Sequence, residues 1–84
     1  MIKNTEISKD DIQIIYKTIG LNVKKIIEAK GISQLNLAMS IGHKSVGVIS
    51  DCEIYLQNKH FNIEQLIKIT DVLDANIKDL FENI

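Results

Sequence analysis

The sequence contains no proline, no tryptophan and no arginine, and it has only one cysteine and four aromatic residues. A single cysteine cannot form an internal disulfide, which suits a reducing cytoplasm. An all-β sandwich needs many turns, so the lack of proline and the scarcity of aromatic residues argue against that class. Isoleucine and leucine are abundant instead. We therefore predict an all-α fold with an aliphatic core.

Long apolar runs are also absent, because the longest uninterrupted ones contain two or three residues. The N-terminal segment lacks the basic-then-apolar order of a signal peptide. We therefore expect a soluble, cytoplasmic protein that does not enter a membrane. A chain of 84 residues forms one domain. It leaves no room for a separate effector domain, so no small-molecule effector is expected.

The net charge of −1 hides an uneven distribution along the chain. Residues 1–16 have a net charge of −1, residues 17–60 of +3 and residues 61–84 of −3. One interpretation is that a basic face meets an anion while the acidic C-terminal third faces away or contacts another protein. Random scatter of a few charges explains the pattern equally well.

Helix-capping residues and apolar periodicity predict five helices and no strand. The first helix begins after Ser8 and continues to Lys30, where Gly31 supplies a left-handed stop. Its apolar residues recur at steps of three and four residues. Gly20 interrupts this pattern and marks either a kink or a place where another helix packs closely.

A short second helix and a third helix follow, joined by a tight turn that contains glycine. The second helix runs from Gln34 to about Ile41, with Ser33 as its N-cap and Gly42 at its end. Two short helices joined at a steep angle leave the N-terminal end of the second one exposed. Free backbone amides and the positive dipole at that end favour phosphate oxygens, and a helix fits the major groove of DNA.

The third helix is predicted from Val46 to about Gln57, with Ser45 as its N-cap. Its inward stripe consists of Ile49, Cys52 and Leu56. With these residues facing inward, the helical period predicts an outward face. This face consists of Val46, Gly47, Ser50, Asp51 and Ile54, with Lys44 and Ser45 at the tip. This face is the candidate DNA-reading surface.

The last third of the chain predicts two more helices. Asn62 and Gln65 form a capping-box pattern at the start of the fourth helix, and Phe61 before the cap can pack on Leu66. The apolar stripe of this helix is Leu66, Ile69 and Leu73. Asn76 caps a final turn or two. The pattern as a whole predicts a compact five-helix domain.

The residue order resembles the Cro and phage-repressor type of helix-turn-helix protein, also called the xenobiotic-response-element (XRE) family of bacterial transcriptional regulators. The similarity covers about residues 17–81. The matching positions are Ile19-Gly20, Gly31-Ile32-Ser33-Gln34, Leu37-Ala38, Ile41-Gly42, Ile49-Ser50, Glu53, Ile69, Leu73 and Leu80. The resemblance implies a sequence-specific DNA-binding regulator, expected to be a repressor. Residues 19–84 would be the DNA-binding domain, and residues 1–18 an N-terminal extension that continues into the first helix.

The resemblance also assigns roles to individual positions. In that family the helix that begins near Ser45 is the recognition helix, so the segment from about Ser45 to Gln57 is expected in the major groove of double-stranded DNA. The family's glutamine at the start of the preceding helix binds a phosphate and braces the reading residues. Carried over, that role falls on Gln34.

Three features depart from the family pattern. One extra residue lies between Gly42 and Glu53, so the turn is longer. The family's Glu-x-Gly is replaced by Glu53-Ile54-Tyr55, which is expected to extend the third helix toward Asn58. Phe61 stands where a proline often precedes the fourth helix. We expect the fold to tolerate all three.

The candidate reading face has few groups for base recognition, because it has no arginine for guanine and no Asn or Gln for adenine. Asp51 repels phosphates but can accept a hydrogen bond from cytosine N4, and Val46 or Ile54 can contact a thymine methyl group. Gly47 allows close approach. Candidates for phosphate contact are Lys24, Lys25, Lys44 and Lys59. A solvated surface explains each residue about equally well.

Binding by a single subunit is expected to be weak. When two or three phosphates are neutralised, a plot of the logarithm of affinity against the logarithm of salt concentration has a slope of about −2 to −3 per subunit. A homodimer that spans half-sites about 34 Å apart would strengthen it. The dimer interface is either the acidic C-terminal segment, with Leu80, Phe81 and Ile84, or the N-terminal half of the first helix.

Enzymatic activity, metal binding and cofactors are not predicted. Cys52, His43 and His60 match no zinc-finger or ribbon spacing, and Cys52 lies on an apolar stripe. No nucleophile and base can be placed together from the sequence. The alternative function is a protein-interaction module with a helix-turn-helix fold, such as an antitoxin or an anti-repressor, which the near-neutral charge and Asp51 favour.

Overall fold

The computed structural model describes residues 7–43 and 46–84, and over these residues it is all-helical without a strand. The four α-helices are α1 (Lys9–Lys30), α2 (Gln34–Ser40), α3 (Gly47–Glu53) and α4 (Ile63–Leu73). Two short 3₁₀ segments lie at Leu56–Asn58 and Ile77–Phe81. The all-α prediction is confirmed. The predicted fifth helix is a single 3₁₀ segment, so the described residues contain four α-helices rather than five.

Helix α1 is closed at both ends by the residues that the sequence indicates. The Ser8 hydroxyl accepts from the Asp11 amide at 3.1 Å, and the Asp11 carboxylate accepts from the Ser8 amide at 3.0 Å. At the other end Gly31 has φ 67°, a left-handed conformation in which a side chain would be strained. The helix runs unbroken for 22 residues, so it continues across position 18, where the N-terminal extension was predicted to end.

Gly20 marks a close helix contact and not a kink. A Cβ atom at this position would lie 2.5 Å from the carbonyl oxygen of Cys52 and 2.7 Å from that of Glu53. Both carbonyls belong to the last turn of α3. The missing side chain therefore lets α1 cross directly over the backbone at the end of α3, which fixes the position of that helix.

The core lies where α1, α2, α3 and α4 meet. Its fully or nearly buried apolar residues are Ile19, Val23, Ile27, Leu37, Ala38, Ile41, Ile49, Cys52, Phe61, Leu66, Ile69, Leu73 and Leu80. The predicted stripe of α4 is thus confirmed. Asn62 and Gln65 form the predicted capping box at the start of α4, and Asn76 caps the last segment. Local hydrogen bonds and apolar spacing therefore account for most of the core.

The C-terminal segment is attached to α1 by one buried side chain. The side-chain NH₂ group of Asn22 donates to the backbone carbonyl oxygens of Leu80 and Glu82, each at 2.9 Å. Leu80 is itself fully buried. Asn22 therefore fixes a segment about 60 positions away in sequence, in addition to the apolar contact made by Leu80.

The predicted extent of the third helix is wrong. The sequence predicts a helix from Val46 to about Gln57, whereas α3 spans Gly47–Glu53. Tyr55 and Gln57 have left-handed backbone conformations, with φ 57° and 52°. Leu56, expected on the inward stripe, has 45% of its surface exposed. The extension toward Asn58 is therefore also wrong.

Tertiary contacts explain this early end. The Tyr55 ring stacks on Tyr16 of α1, with ring centroids 5.8 Å apart, and His60 stacks on the same tyrosine at 3.7 Å. The chain turns back toward α1 at Tyr55 to make these contacts. Nothing in the local sequence breaks a helix there, so the packing partner decides its end. No helix of the described residues is long and apolar enough to cross a membrane.

Candidate nucleic-acid interface

The two short helices α2 and α3 are joined by a hydrogen bond between their far ends. The side-chain amide of Gln34, the first residue of α2, donates to Oε1 of Glu53, the last residue of α3. Gln34 is half-buried. Its observed contact is a brace between the helices, and the amide keeps a second N–H that is not used in this bond.

Glu53 is the buried end of this brace, with 4% of its surface exposed. Its second carboxylate oxygen, Oε2, has no hydrogen-bond partner among the described residues. Burial raises the pKa of Glu53, and the hydrogen bond from Gln34 and the positive charge of Lys24 oppose that shift, while Glu28 adds to it. Sequence reasoning marked Glu53 only as a matching position and did not foresee its burial.

Replacing Glu53 with glutamine should change how stability depends on pH. Because folding raises the pKa of Glu53, its contribution to stability is full below the unfolded pKa and is lost as the pH rises through the folded pKa. Glutamine keeps an oxygen for Gln34 but does not titrate. We expect the stability of Glu53→Gln relative to the wild type to rise as the pH is raised from about 4 to 7.

Urea unfolding of both proteins across that pH range measures this difference. Glu82→Gln is the matched control, because Glu82 is exposed and its side chain makes no hydrogen bond among the described residues. It measures the effect of replacing an exposed carboxyl group. A Glu53→Gln difference that follows the Glu82→Gln difference across this pH range would contradict a buried, ionisable carboxyl group at the end of α3.

The outward face of α3 is partly exposed, as its helical period predicts. Val46 and Ile54, at its two ends, have 39% and 60% of their surface exposed. Gly47, Ser50 and Asp51 are half-buried. The Ser50 hydroxyl donates to the Gly47 carbonyl at 3.3 Å, so its oxygen is left to accept further hydrogen bonds. This surface offers two apolar side chains around a small polar centre.

Asp51 and Lys59 form an ion pair, with Lys59 Nζ 3.0 Å from Asp51 Oδ2. The sequence marks both as candidate contacts but gives no sign that they meet. They are eight residues apart, and the chain brings them together only because α3 ends before Tyr55. The pair offsets the negative charge of Asp51, and it also occupies Lys59, one of the candidate phosphate-binding lysines.

The turn between α2 and α3 begins with Gly42, whose φ of 89° requires a glycine-like conformation. The backbone amide of His43 donates to the Ala38 carbonyl at 2.8 Å, which closes the end of α2. Lys44 and Ser45, both predicted at the tip of the reading face, lie outside the described residues. The N-cap role expected for Ser45 lies outside them as well.

A cleft of about 530 Å³ separates α3 from the segment that leads into α4. Its walls include Gly47, Asp51, Lys59, Asn62 and Gln65. Cys52, also at this cleft, is buried, and burial is the largest cause that raises the pKa of its thiol. The thiol therefore stays protonated and belongs to the core. The described residues contain no group of three or more potential metal ligands.

The structure thus brings Val46, Gly47, Ser50, Asp51 and Ile54 onto one surface, with Lys59 joined to it through Asp51. Lys24 and Lys25 are exposed on α1. The contacts that the sequence did not indicate are side-chain bonds between distant elements. Comparisons with protein-family models, with curated proteins and with solved structures found no significant match to this chain.

Proposed function

We propose that this protein is a sequence-specific DNA-binding transcriptional regulator, acting as a repressor, of the Cro and phage-repressor helix-turn-helix type. Helix α3 would enter the major groove of double-stranded DNA. The observation that carries this proposal is the brace between Gln34 and Glu53, which holds α2 and α3 together while the opposite face of α3 stays open. Elements that read DNA need this combination of rigid support and free surface.

The chemistry of the open face suits a site read by few contacts. Val46 and Ile54 offer methyl groups to thymine, and Gly47 permits close approach of the helix to the bases. Ser50 keeps acceptor capacity on its hydroxyl oxygen. Asp51 can accept a hydrogen bond from cytosine N4 where it does not face a phosphate, with or without its ion pair to Lys59. Much of the specificity would then come from DNA shape.

Phosphate contacts would come from exposed lysines and from helix amides. Lys24 and Lys25 are exposed on α1, Lys59 lies beside Asp51, and Lys44 follows the glycine turn in sequence. With two or three neutralised phosphates per subunit, the logarithm of affinity should fall with a slope of about −2 to −3 per subunit against the logarithm of salt. A homodimer on half-sites about 34 Å apart would bind DNA more tightly than a single subunit.

Selection from a random duplex library at two salt concentrations tests this proposal most directly. A palindromic consensus, recovered more strongly at low salt, would support a dimeric DNA reader and reveal its half-site spacing. Recovery of no consensus at either salt concentration would contradict sequence-specific binding.

Single substitutions test the assigned residues. We expect Gln34→Ala and Lys44→Ala each to weaken duplex binding at least several-fold, because one removes the brace and a phosphate donor and the other a phosphate contact. Lys68→Ala is the matched control, since it removes an equal charge from an exposed position on α4, outside the segment with Leu80, Phe81 and Ile84. Fluorescence anisotropy with a selected duplex measures the affinities, and circular dichroism verifies folding. Unchanged affinity in both variants would favour a different function.

The second candidate is a protein-interaction module of the antitoxin or anti-repressor kind. Exposed apolar side chains favour it: Leu35 and Met39 are exposed on α2, and Val46 and Ile54 are exposed at the two ends of α3. The ion pair between Asp51 and Lys59 also removes a free positive charge from the reading face. This candidate predicts weak, salt-insensitive binding to duplex DNA, so the same titrations separate the two functions.

A further inference from the structure

The capping box of α4 fixes the orientation of the Gln65 side chain. The backbone amide of Asn62 donates to Gln65 Oε1 at 2.8 Å, and the backbone amide of Gln65 donates to Asn62 Oδ1 at 2.7 Å. A backbone N–H can only donate, so the atom that faces Asn62 must be the oxygen of the glutamine side chain. The NH₂ group of Gln65 therefore points the other way.

That NH₂ group faces His43 in the turn between α2 and α3. The distance from Gln65 Nε2 to His43 Nε2 is 3.1 Å. Because an NH₂ group only donates, His43 Nε2 has to accept, and the imidazole has to be neutral with its proton on Nδ1. One side chain of α4 thus selects the tautomer of a histidine 22 positions earlier.

We propose that Gln65 is a positioning residue for the reading surface: it holds His43 in the neutral Nδ1–H tautomer and so attaches the glycine turn to the start of α4. The His43 backbone is bonded to Ala38 of α2, while its ring is bonded to α4. The next residues in sequence are Lys44 and Ser45, which lead into α3. The effect on DNA binding rests on the function proposed above, whereas the effect on the turn does not.

Most ionisable side chains on the elements around this contact have other partners. Helix α2 has no ionisable side chain. On α3 and the following segment Asp51 pairs with Lys59, Glu53 accepts from Gln34, and on α4 Glu64 pairs with Lys68. The exposed Asp71 lies farther along α4, and His60 precedes its cap.

A protonated His43 would present N–H to the NH₂ group of Gln65, beside the positive end of the α4 dipole. The contact is therefore present only while the imidazole is neutral.

Nitrogen chemical shifts of the two histidines test the tautomer without DNA. At pH 8 we expect His43 of the wild type to carry its proton on Nδ1. Gln65→Glu keeps an oxygen for the Asn62 amide but presents only acceptors to the ring, so the proton of His43 should move to Nε2. His60 is the internal control: its Nδ1 lies 3.0 Å from the Asn58 carbonyl, and it should stay protonated there in both proteins. A wild-type His43 with its proton on Nε2 would overturn the proposal.

Hydrogen exchange and DNA affinity test the positioning role. In Gln65→Ala at pH 8 we expect the His43 backbone amide to exchange at least several-fold faster and duplex affinity to fall at least several-fold. Asn62→Ala is the matched control, because it removes a cap bond of α4 but keeps the Asn62 backbone amide that orients Gln65. Its His43 tautomer, exchange rate and affinity should match those of the wild type.

The possible failures are distinguishable. Equal exchange rates in Gln65→Ala and the wild type would overturn the attachment of the turn. Faster exchange with unchanged DNA affinity would overturn the positioning role in DNA binding. A wild type that binds no duplex would overturn the proposed function, while the tautomer and the exchange rates still decide whether Gln65 holds the turn.

Discussion

Gly20→Ala should destabilise the fold by about 2–3 kcal/mol, although alanine normally stabilises a helix interior relative to glycine by about 0.5–1 kcal/mol. The added Cβ would lie 2.5 Å from the Cys52 carbonyl oxygen and 2.9 Å from the Glu53 carbonyl carbon. Both atoms are backbone, so neither can move aside by a rotamer change. Either α1 shifts away or the last turn of α3 distorts.

Urea unfolding of Gly20→Ala beside Lys17→Ala measures this effect. Lys17 is exposed on the same helix, and its replacement should change the free energy of unfolding by less than about 0.5 kcal/mol. Under the proposed DNA-binding function, we also expect any folded Gly20→Ala protein to bind duplex DNA more weakly, because the clash lies at the end of α3. A Gly20→Ala protein that is more stable than the wild type would show that α1 and α3 do not pack this closely.

Asn22→Asp should cost about 2–4 kcal/mol at neutral pH, even though the two side chains have nearly the same shape. The Asn22 amide donates to the carbonyl oxygens of Leu80 and Glu82. A carboxylate would place one acceptor oxygen opposite these two carbonyl oxygens and bury a negative charge without a partner. The C-terminal segment would then lose its polar attachment to α1.

Two comparisons isolate that effect. Asn36→Asp makes the same chemical change at an exposed position in the first turn of α2, where a negative charge is tolerated, and it should change stability by less than about 0.5 kcal/mol. The loss in Asn22→Asp should also shrink as the pH falls toward about 4, because a protonated carboxyl group donates one hydrogen bond. Equal stability of the two variants at neutral pH would exclude a structural role for the Asn22 bonds.

The sequence by itself determined the features that depend on neighbouring residues. Ser8, Gly31, Ser33, Asn62 and Asn76 act where predicted because each cap bonds groups within a few positions along the chain. The all-α class, the stripe of α4 and the exposure of the outer face of α3 follow from apolar spacing in the same way. Local hydrogen bonds and helical periodicity are readable without knowing which elements meet.

Only the tertiary structure decided the features that depend on distant partners. It ended α3 at Glu53 and turned the chain at Tyr55, because α1 supplies the Gly20 contact and the stacking surface of Tyr16. The same turn paired Asp51 with Lys59. The brace from Gln34 to Glu53 and the bond from Gln65 to His43 likewise join side chains about 20 residues apart. Such contacts leave no periodic signal, since their energy exists only after the helices have packed.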